Sequence, residues 1–193
     1  MEKYDVLEPD YFYHIYNRGN NKEDLFVENE NYLHFLNLIK KHLITVADVY
    51  AYCLMKNHFH LLIRMKSKEE LNLNDIKLDK LSQPFSNTFN AYSKAINKKY
   101  NREGSLFKVR FKRERITDLD YLRNVVVYIH LNPLKHNFTD DFRNYPFSSY
   151  SAMVSNKSTA LKREQVLELF DGTVNFEYVH KEMASKGNFE DFD

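Results

Sequence analysis

His58 and His60 are separated by one residue in the run His58-Phe59-His60-Leu61-Leu62-Ile63-Arg64-Met65. The run reads as a strand. Strand side chains alternate between faces, so both imidazoles project to one side while Phe59 and Leu61 turn toward a core. Two neighbouring imidazoles can bind one divalent cation. A polar sheet face whose histidines bond to neighbours or water gives the same short pattern. Tyr128 and Asn132 form a second constellation, four residues apart on one face of a helical segment. A phenol is nucleophilic as phenolate, and its ordinary pKa of about 10 calls for a nearby cation or base at neutral pH. The Asn132 amide oxygen is a hard ligand suited to Mg²⁺ or Mn²⁺. The chain has 14 tyrosines, so spacing alone does not select Tyr128. Asn132, just before Pro133, also reads as a simple helix-end residue. Lys108, Arg110, Lys112, Arg113 and Arg115 crowd into eight positions. Such a local patch can contact phosphates, or it can be a solvated charged strand.

The elements that must position these residues follow from periodicity. Residues 11–17 are rich in aromatics and read as a strand, followed by a loop at Gly19-Asn20-Asn21. Residues 29–45 place Tyr32, Phe35, Leu36, Ile39 and Leu43 at helical spacing. Residues 48–55 and 58–65 read as strands joined at Lys56-Asn57, a predicted hairpin. A second helical pattern covers 76–100 and aligns Leu78, Leu81, Phe85, Phe89, Tyr92 and Ile96, with Pro84 at a kink or interrupted start. The basic segment 105–116 reads as partly extended. A helix over 118–132 follows, capped by Thr117 or Asp118 and stopped by Pro133. A short helix is expected at 161–170, and the last dozen residues read as weakly ordered. The order strand, helix, strand, strand, helix, extended segment, helix predicts an α+β fold. It is a ferredoxin-like antiparallel sheet with helices packed mainly on one face.

Composition limits the alternatives. The chain has 193 residues, 43% of them hydrophobic and 15% aromatic, enough for one sizeable core. With four Gly and four Pro, no long disordered or low-complexity region is expected. The single Cys53 excludes an internal disulfide and a multi-cysteine zinc site, and fits a reducing cytoplasm. The start of the chain carries no basic–apolar pattern of a secretory signal, and no apolar run approaches the roughly 20 residues that span a bilayer. Net charge is only +1, so any nucleic-acid contact rests on the local patch, not on overall charge; Glu190-Asp191-Phe192-Asp193 form an acidic tail.

Four strings resemble one known family. Met55-Lys56-Asn57-His58-Phe59-His60-Leu61-Leu62 resembles the histidine–hydrophobe–histidine (HUH) motif of single-tyrosine transposases. Tyr128-Ile129-His130-Leu131-Asn132-Pro133-Leu134-Lys135 resembles the end of their tyrosine-bearing helix. Gly104-Ser105-Leu106-Phe107 with Arg110-Phe111-Lys112 resembles the segment between the two, and Tyr145-Pro146-Phe147-Ser148-Ser149-Tyr150 the element after the tyrosine helix. The order and spacing are most similar to the REP-associated tyrosine transposase branch, over about residues 11–155. This implies a transposase-like domain at 1–155 and a C-terminal helical extension with acidic tail at 156–193. It implies His58, His60 and Asn132 as ligands of Mg²⁺ or Mn²⁺, Tyr128 as a nucleophile forming a 5′-phosphotyrosine, and hairpin-containing single-stranded DNA as substrate. Lys108, Arg110, Lys112, Arg113 and Arg115 are then candidates for DNA phosphate contacts. Lys56, Lys108-Val109 and His136-Asn137 depart from the usual strings, which bears on the DNA sequence recognised. Asn137 tolerates a left-handed helix cap, so that change is mild. Both a monomer and a homodimer are compatible with this reading, and no membrane partner is expected. The competing readings are a catalytically silent nucleic-acid-binding regulator, a hydrolase that activates water at the histidine pair, and a structural module.

Overall fold

The computed structural model describes residues 5–73, 75–108 and 110–187. Val109 and the acidic tail lie outside the described residues. The chain runs through β1 (Phe12–Arg18), α1 (Asn29–His42), β2 (Ala47–Met55), β3 (His58–Met65), α2 (Lys68–Leu73), α3 (Gln83–Lys99), β4 (Lys112–Ile116) and α4 (Leu119–Lys135). It ends with α5 (Tyr150–Met153), α6 (Arg163–Glu168) and α7 (Thr173–Lys186). The strands form one antiparallel sheet in the order β2-β3-β1-β4. Thus β1 to β4 with α1 and α3 make the expected ferredoxin-like β-α-β-β-α-β unit. The β2–β3 hairpin turns at Lys56-Asn57, as its sequence predicts.

Helices α1 and α3 cover one face. Tyr13 and Ile15 of β1 and Phe59, Leu61 and Ile63 of β3 pack there against Phe35 of α1 and Phe85, Phe89 and Tyr92 of α3. The other face is covered too, by α4 and α7. Ala51, Cys53 and Met55 of β2 and Leu62 of β3 cluster with Val125, Val126 and Ile129 of α4 and with Phe176 of α7. The physical reason is that the alternate residues of β2 are apolar on both faces. Every residue of α4 from Val125 to Pro133 is buried, and a helix apolar all round must be enclosed. Val166, Phe170 and Phe176 join this second core, so α7 and the segment before it pack with α4.

Several boundaries differ from the periodic reading. Helix α1 stops at His42, and Leu43–Thr45 tightens into a 3₁₀ turn. The second pattern starts at Gln83, with Pro84 in the first turn, where no amide proton is needed. Leu78 therefore leaves the apolar stripe and is 46% exposed. Asp118 caps α4, accepting the N–H of Tyr121 at 2.8 Å. Pro133 does not stop α4. The helix closes at Asn137, whose φ is 57°, with Asn137 N–H bonding to Leu134 O at 3.1 Å and Phe138 N–H to Pro133 O at 2.8 Å. This left-handed closure satisfies the final carbonyls, so the stop signal is Asn137. Helix α2 was not expected from apolar periodicity. Its signal is a capping box, in which Ser67 N–H bonds to Glu70 Oε2 and Glu70 N–H to Ser67 Oγ. Helix α7 reaches Lys186, so residues 182–186 of the segment expected to be weakly ordered are helical.

A buried polar chain ties α7 to α4 and the sheet. His180 Nδ1 donates to Phe176 O at 2.7 Å, because a carbonyl can only accept. His180 Nε2 is then the acceptor for His130 Nδ1–H at 2.9 Å. His130 Nε2 in turn accepts from Ser149 Oγ at 2.8 Å, and Ser149 Oγ accepts the N–H of Tyr52. Burial pushes His180 down to about 4 and holds His130 well below the usual histidine range. Both rings must be neutral for this chain of donors to hold.

Two outcomes are expected. Phe59→Ala, which truncates a fully buried ring of the α1/α3 core, should cost about 3–5 kcal/mol of unfolding free energy, against less than about 0.5 kcal/mol for the exposed Leu78→Ala, by urea titration. His180 has a folded pKa below its unfolded value, so the unfolded chain binds its proton first as pH falls. Stability should therefore drop between about pH 6.5 and 4, with His180 contributing about 3 kcal/mol. His180→Phe should lessen the slope of this pH dependence in denaturation curves across that range. An unchanged slope would remove His180 from the account.

Candidate active site

The site lies on the sheet face that α4 covers. Its floor begins at the β2–β3 turn, which is clamped from one side by the loop after β1. Gly19 N–H bonds to Asn57 O at 2.8 Å, and the N–H groups of Leu25 and Phe26 bond to Lys56 O. A Cβ at Gly19 would stand 1.9 Å from Glu23 O, so only glycine lets this loop close. Strand alternation then carries His58 and His60 to the α4 side, as expected, with Phe59 and Leu61 in the opposite core. The two rings are 5.3 Å apart and nearly perpendicular.

Each histidine has a defined polar environment. His60 is buried, with Nδ1 2.9 Å from His14 Nε2. Burial, followed by the charges of neighbouring groups, keeps His60 well below the ordinary histidine pKa. Burial alone pushes His14 down to about 3. Both rings are thus neutral, the form in which imidazole is a ligand. His58 Nδ1 lies 2.7 Å from Asn57 Oδ1, and Nε2 lies 3.4 Å from Asn132 Oδ1. A neutral His58 that donates from Nδ1 to Asn57 has a lone pair on Nε2. The Asn132 oxygen facing it is also an acceptor. In that tautomer the two acceptors could share a cation, whereas a proton on Nε2 would be donated to the Asn132 oxygen. Asn132 is fully buried and its Nδ2 has no hydrogen-bond partner among the described residues. The donor set of two imidazoles and one amide oxygen fits a divalent cation in chemistry. Among the described residues, no group of three or more His, Cys, Asp or Glu side chains is arranged to hold one.

Tyr128 and Asn132 share the inner face of α4. The Tyr128 ring meets His60 edge-on at 5.5 Å and His14 at 5.9 Å, and is only 5% exposed. Four residues chosen on sequence grounds, His58, His60, Tyr128 and Asn132, are therefore brought together within one chain. Others were missed. His14 and Tyr16 lie on the same face of β1, and their signal was the alternation in Phe12-Tyr13-His14-Ile15-Tyr16. Tyr16 stacks on His14 at 4.7 Å and gives its hydroxyl proton to Glu114 Oε1 at 2.7 Å. Lys135 Nζ stands 4.9 Å from the Tyr128 ring centre, and His136 packs 4.9 Å from His58. Both became part of the site because α4 continues past Pro133.

The basic segment does not form one patch. Register with β1 places Lys112 opposite Tyr16, on the site face, with its ammonium 5.4 Å from the Tyr16 ring. Arg113 is opposite Ile15 on the other face, 5.2 Å from the Phe111 ring. Arg115 lies on the Tyr11 ring and pairs with Glu8 at 2.7 Å. Lys108 and Arg110 are exposed in the loop before β4. Lys108 N–H bonds to Arg18 O at the end of β1 nearest His58.

Comparison with known proteins was made in sequence and in fold. No family model matches the chain. A Haemophilus influenzae protein assigned to the REP-associated tyrosine transposases is 28% identical over 106 residues, 53% of this chain and 58% of that protein. The match thus spans little more than half of that relative. In fold, the chain matches a REP-associated tyrosine transposase solved bound to a REP hairpin, with TM-score 0.64 and 18% identity over 81% of this chain and 87% of that one. The tRNA(His) guanylyltransferase of Saccharomyces cerevisiae matches at TM-score 0.41 with 15% identity, covering 100% of this chain and 84% of that one, too distant to carry an argument. No helix of the described residues is long and apolar enough to cross a membrane. In both sequence and fold, the chain is similar to the REP-associated tyrosine transposases, the branch of single-tyrosine HUH proteins that its motifs resemble.

Proposed function

We propose that this protein cleaves and rejoins hairpin-bearing single-stranded DNA, with Tyr128 as nucleophile. The observation that carries the reading is the convergence of Tyr128, His60, His58 and Asn132 on one sheet face. Likeness to a transposase bound to a hairpin supports the substrate class. All four groups come from one chain, which supports a monomeric catalytic unit without requiring a homodimer.

His58, His60 and Asn132 would hold Mg²⁺ or Mn²⁺, and the ion would supply Lewis-acid polarisation of the phosphate and offset charge on the leaving oxygen. Tyr128 Oη attacks phosphorus in line with the 3′ oxygen. The tyrosine–phosphorus bond forms as the bond to the 3′ oxygen breaks; the phenol loses its proton and the 3′ oxygen gains one. Lys135, on the same helix, brings positive charge to the Tyr128 ring. One phosphodiester replaces another, so no nucleoside triphosphate is consumed and a DNA 3′-hydroxyl can reverse the exchange. Tyr128 is 5% exposed, so the attacking phenol sits in a largely enclosed site. Lys108 and Arg110, exposed in the loop before β4, and Lys112, on the site face, are the DNA phosphate contacts of this reading. Arg113 lies on the opposite face, and Arg115 is engaged by Glu8.

The test incubates protein with end-labelled hairpin DNA and Mg²⁺ or Mn²⁺, followed by a denaturing gel. A protein–DNA adduct is expected, lost in Tyr128→Phe and with a chelator. Cleavage that survives Tyr128→Phe would point to activated water, and binding with no adduct to a silent regulator. In hairpin-binding titrations at several salt concentrations, Arg110→Ala should reduce the log–log salt slope by about 1 and Arg115→Ala should leave it in place. Equal effects of the two would overturn this division of the basic segment.

A further inference from the structure

We propose that His14 is a positioning residue for His60: His14 Nε2 accepts the Nδ1–H of His60, which leaves the Nε2 lone pair of His60 for the cation. The proposal rests on the metal reading above. The two nitrogens face each other at 2.9 Å inside the protein, so one carries the proton and the other a lone pair. If His14 donated, the proton of neutral His60 would sit on Nε2 and block it as a ligand. If His60 donates, Nε2 is open. The choice of tautomer is therefore the choice between a ligand and a non-ligand.

The surroundings of His14 suit this service. The ring is fully buried, held between Tyr16, stacked at 4.7 Å, and the edge of Tyr128 at 5.9 Å. Its Nδ1 has no hydrogen-bond partner among the described residues. Glu114, opposite His14 in β4, is already engaged by the Tyr16 hydroxyl. The His130–His180 pair has the same 2.9 Å spacing, but there the Phe176 carbonyl sets the direction of donation. His14 lacks such an anchor, and a histidine kept at that cost to stability is explained by what it does to His60. Partners of this kind orient metal-binding imidazoles and tune their affinity.

The experiment measures Mn²⁺ binding by the loss of free Mn²⁺ electron-paramagnetic signal in wild type, His14→Phe, His14→Gln and His60→Ala. Near-UV circular dichroism and Tm serve as fold controls. His14→Phe should weaken Mn²⁺ binding about ten- to a hundred-fold. His14→Gln, whose amide oxygen can accept the same N–H, should recover most of it. In ¹⁵N-histidine spectra of Mg²⁺-saturated wild type, His60 should carry its proton on Nδ1. Wild-type Mn²⁺ affinity in folded His14→Phe, with binding lost in His60→Ala, overturns this proposal alone. A wild type that binds no Mn²⁺, or His60→Ala that binds it normally, overturns the metal reading and this with it. Should His14→Phe fail to fold, the wild-type tautomer decides: a proton on His60 Nε2 in the loaded protein sinks the assignment.

Discussion

The architecture of the site depends on the burial of α4 across the histidine face of the sheet. That face carries His14, His58 and His60, groups that are costly to remove from water without partners. The helix laid on it is apolar nearly all round, so enclosure of α4 drives the burial and the polar groups are carried along. They are satisfied chiefly by one another: His60 with His14, and His58 with Asn57 and Asn132. The same packing that makes the second core sets Tyr128 edge-on against His60. Stability and the candidate chemistry share one interface.

The molecule uses the histidine–histidine hydrogen bond twice, with different endings. The chain from Phe176 O through His180 and His130 to Ser149 is anchored at the Phe176 carbonyl, which gives each ring proton one place. It joins α7, α4 and the start of α5 to β2 and reads as structure. The His14–His60 pair ends at a buried His14 Nδ1 that lacks a hydrogen-bond partner among the described residues. An anchored chain is rigid and fully satisfied. An open one leaves a choice of tautomer, and in this protein that choice faces the candidate ligand position.

Sheet geometry also divides the charge that composition groups together. Lys112, Arg113 and Arg115 lie within four positions, but successive strand residues point to opposite faces. Pairing of β4 with β1 sends Lys112 toward the site and Arg113 away from it, while Arg115 settles on Tyr11 and Glu8. The proposed phosphate contacts near Tyr128 therefore draw on the loop before β4 and on α4 itself as much as on the strand. Lys135 belongs to that set only because the helix outlasts Pro133.

Local physics was legible in the residues themselves. Period-two alternation put His58 and His60 on one face, helical spacing joined Tyr128 to Asn132, and Asp118 announced the start of α4. The four strings pointed to the REP-associated branch with which sequence and fold likeness agree. The capping box at Ser67 and the left-handed stop at Asn137 were also present as local signals, though apolar periodicity passed over the first and Pro133 distracted from the second. Long-range pairing was not legible. That His14 meets His60, that α4 covers the histidine face and that α7 completes its core depend on residues from 46 to 74 positions apart finding each other. Sequence by itself determined which side chains share a face of each element. Only the tertiary structure decided which faces meet, because that is settled by burial summed over the whole chain and not by any one segment.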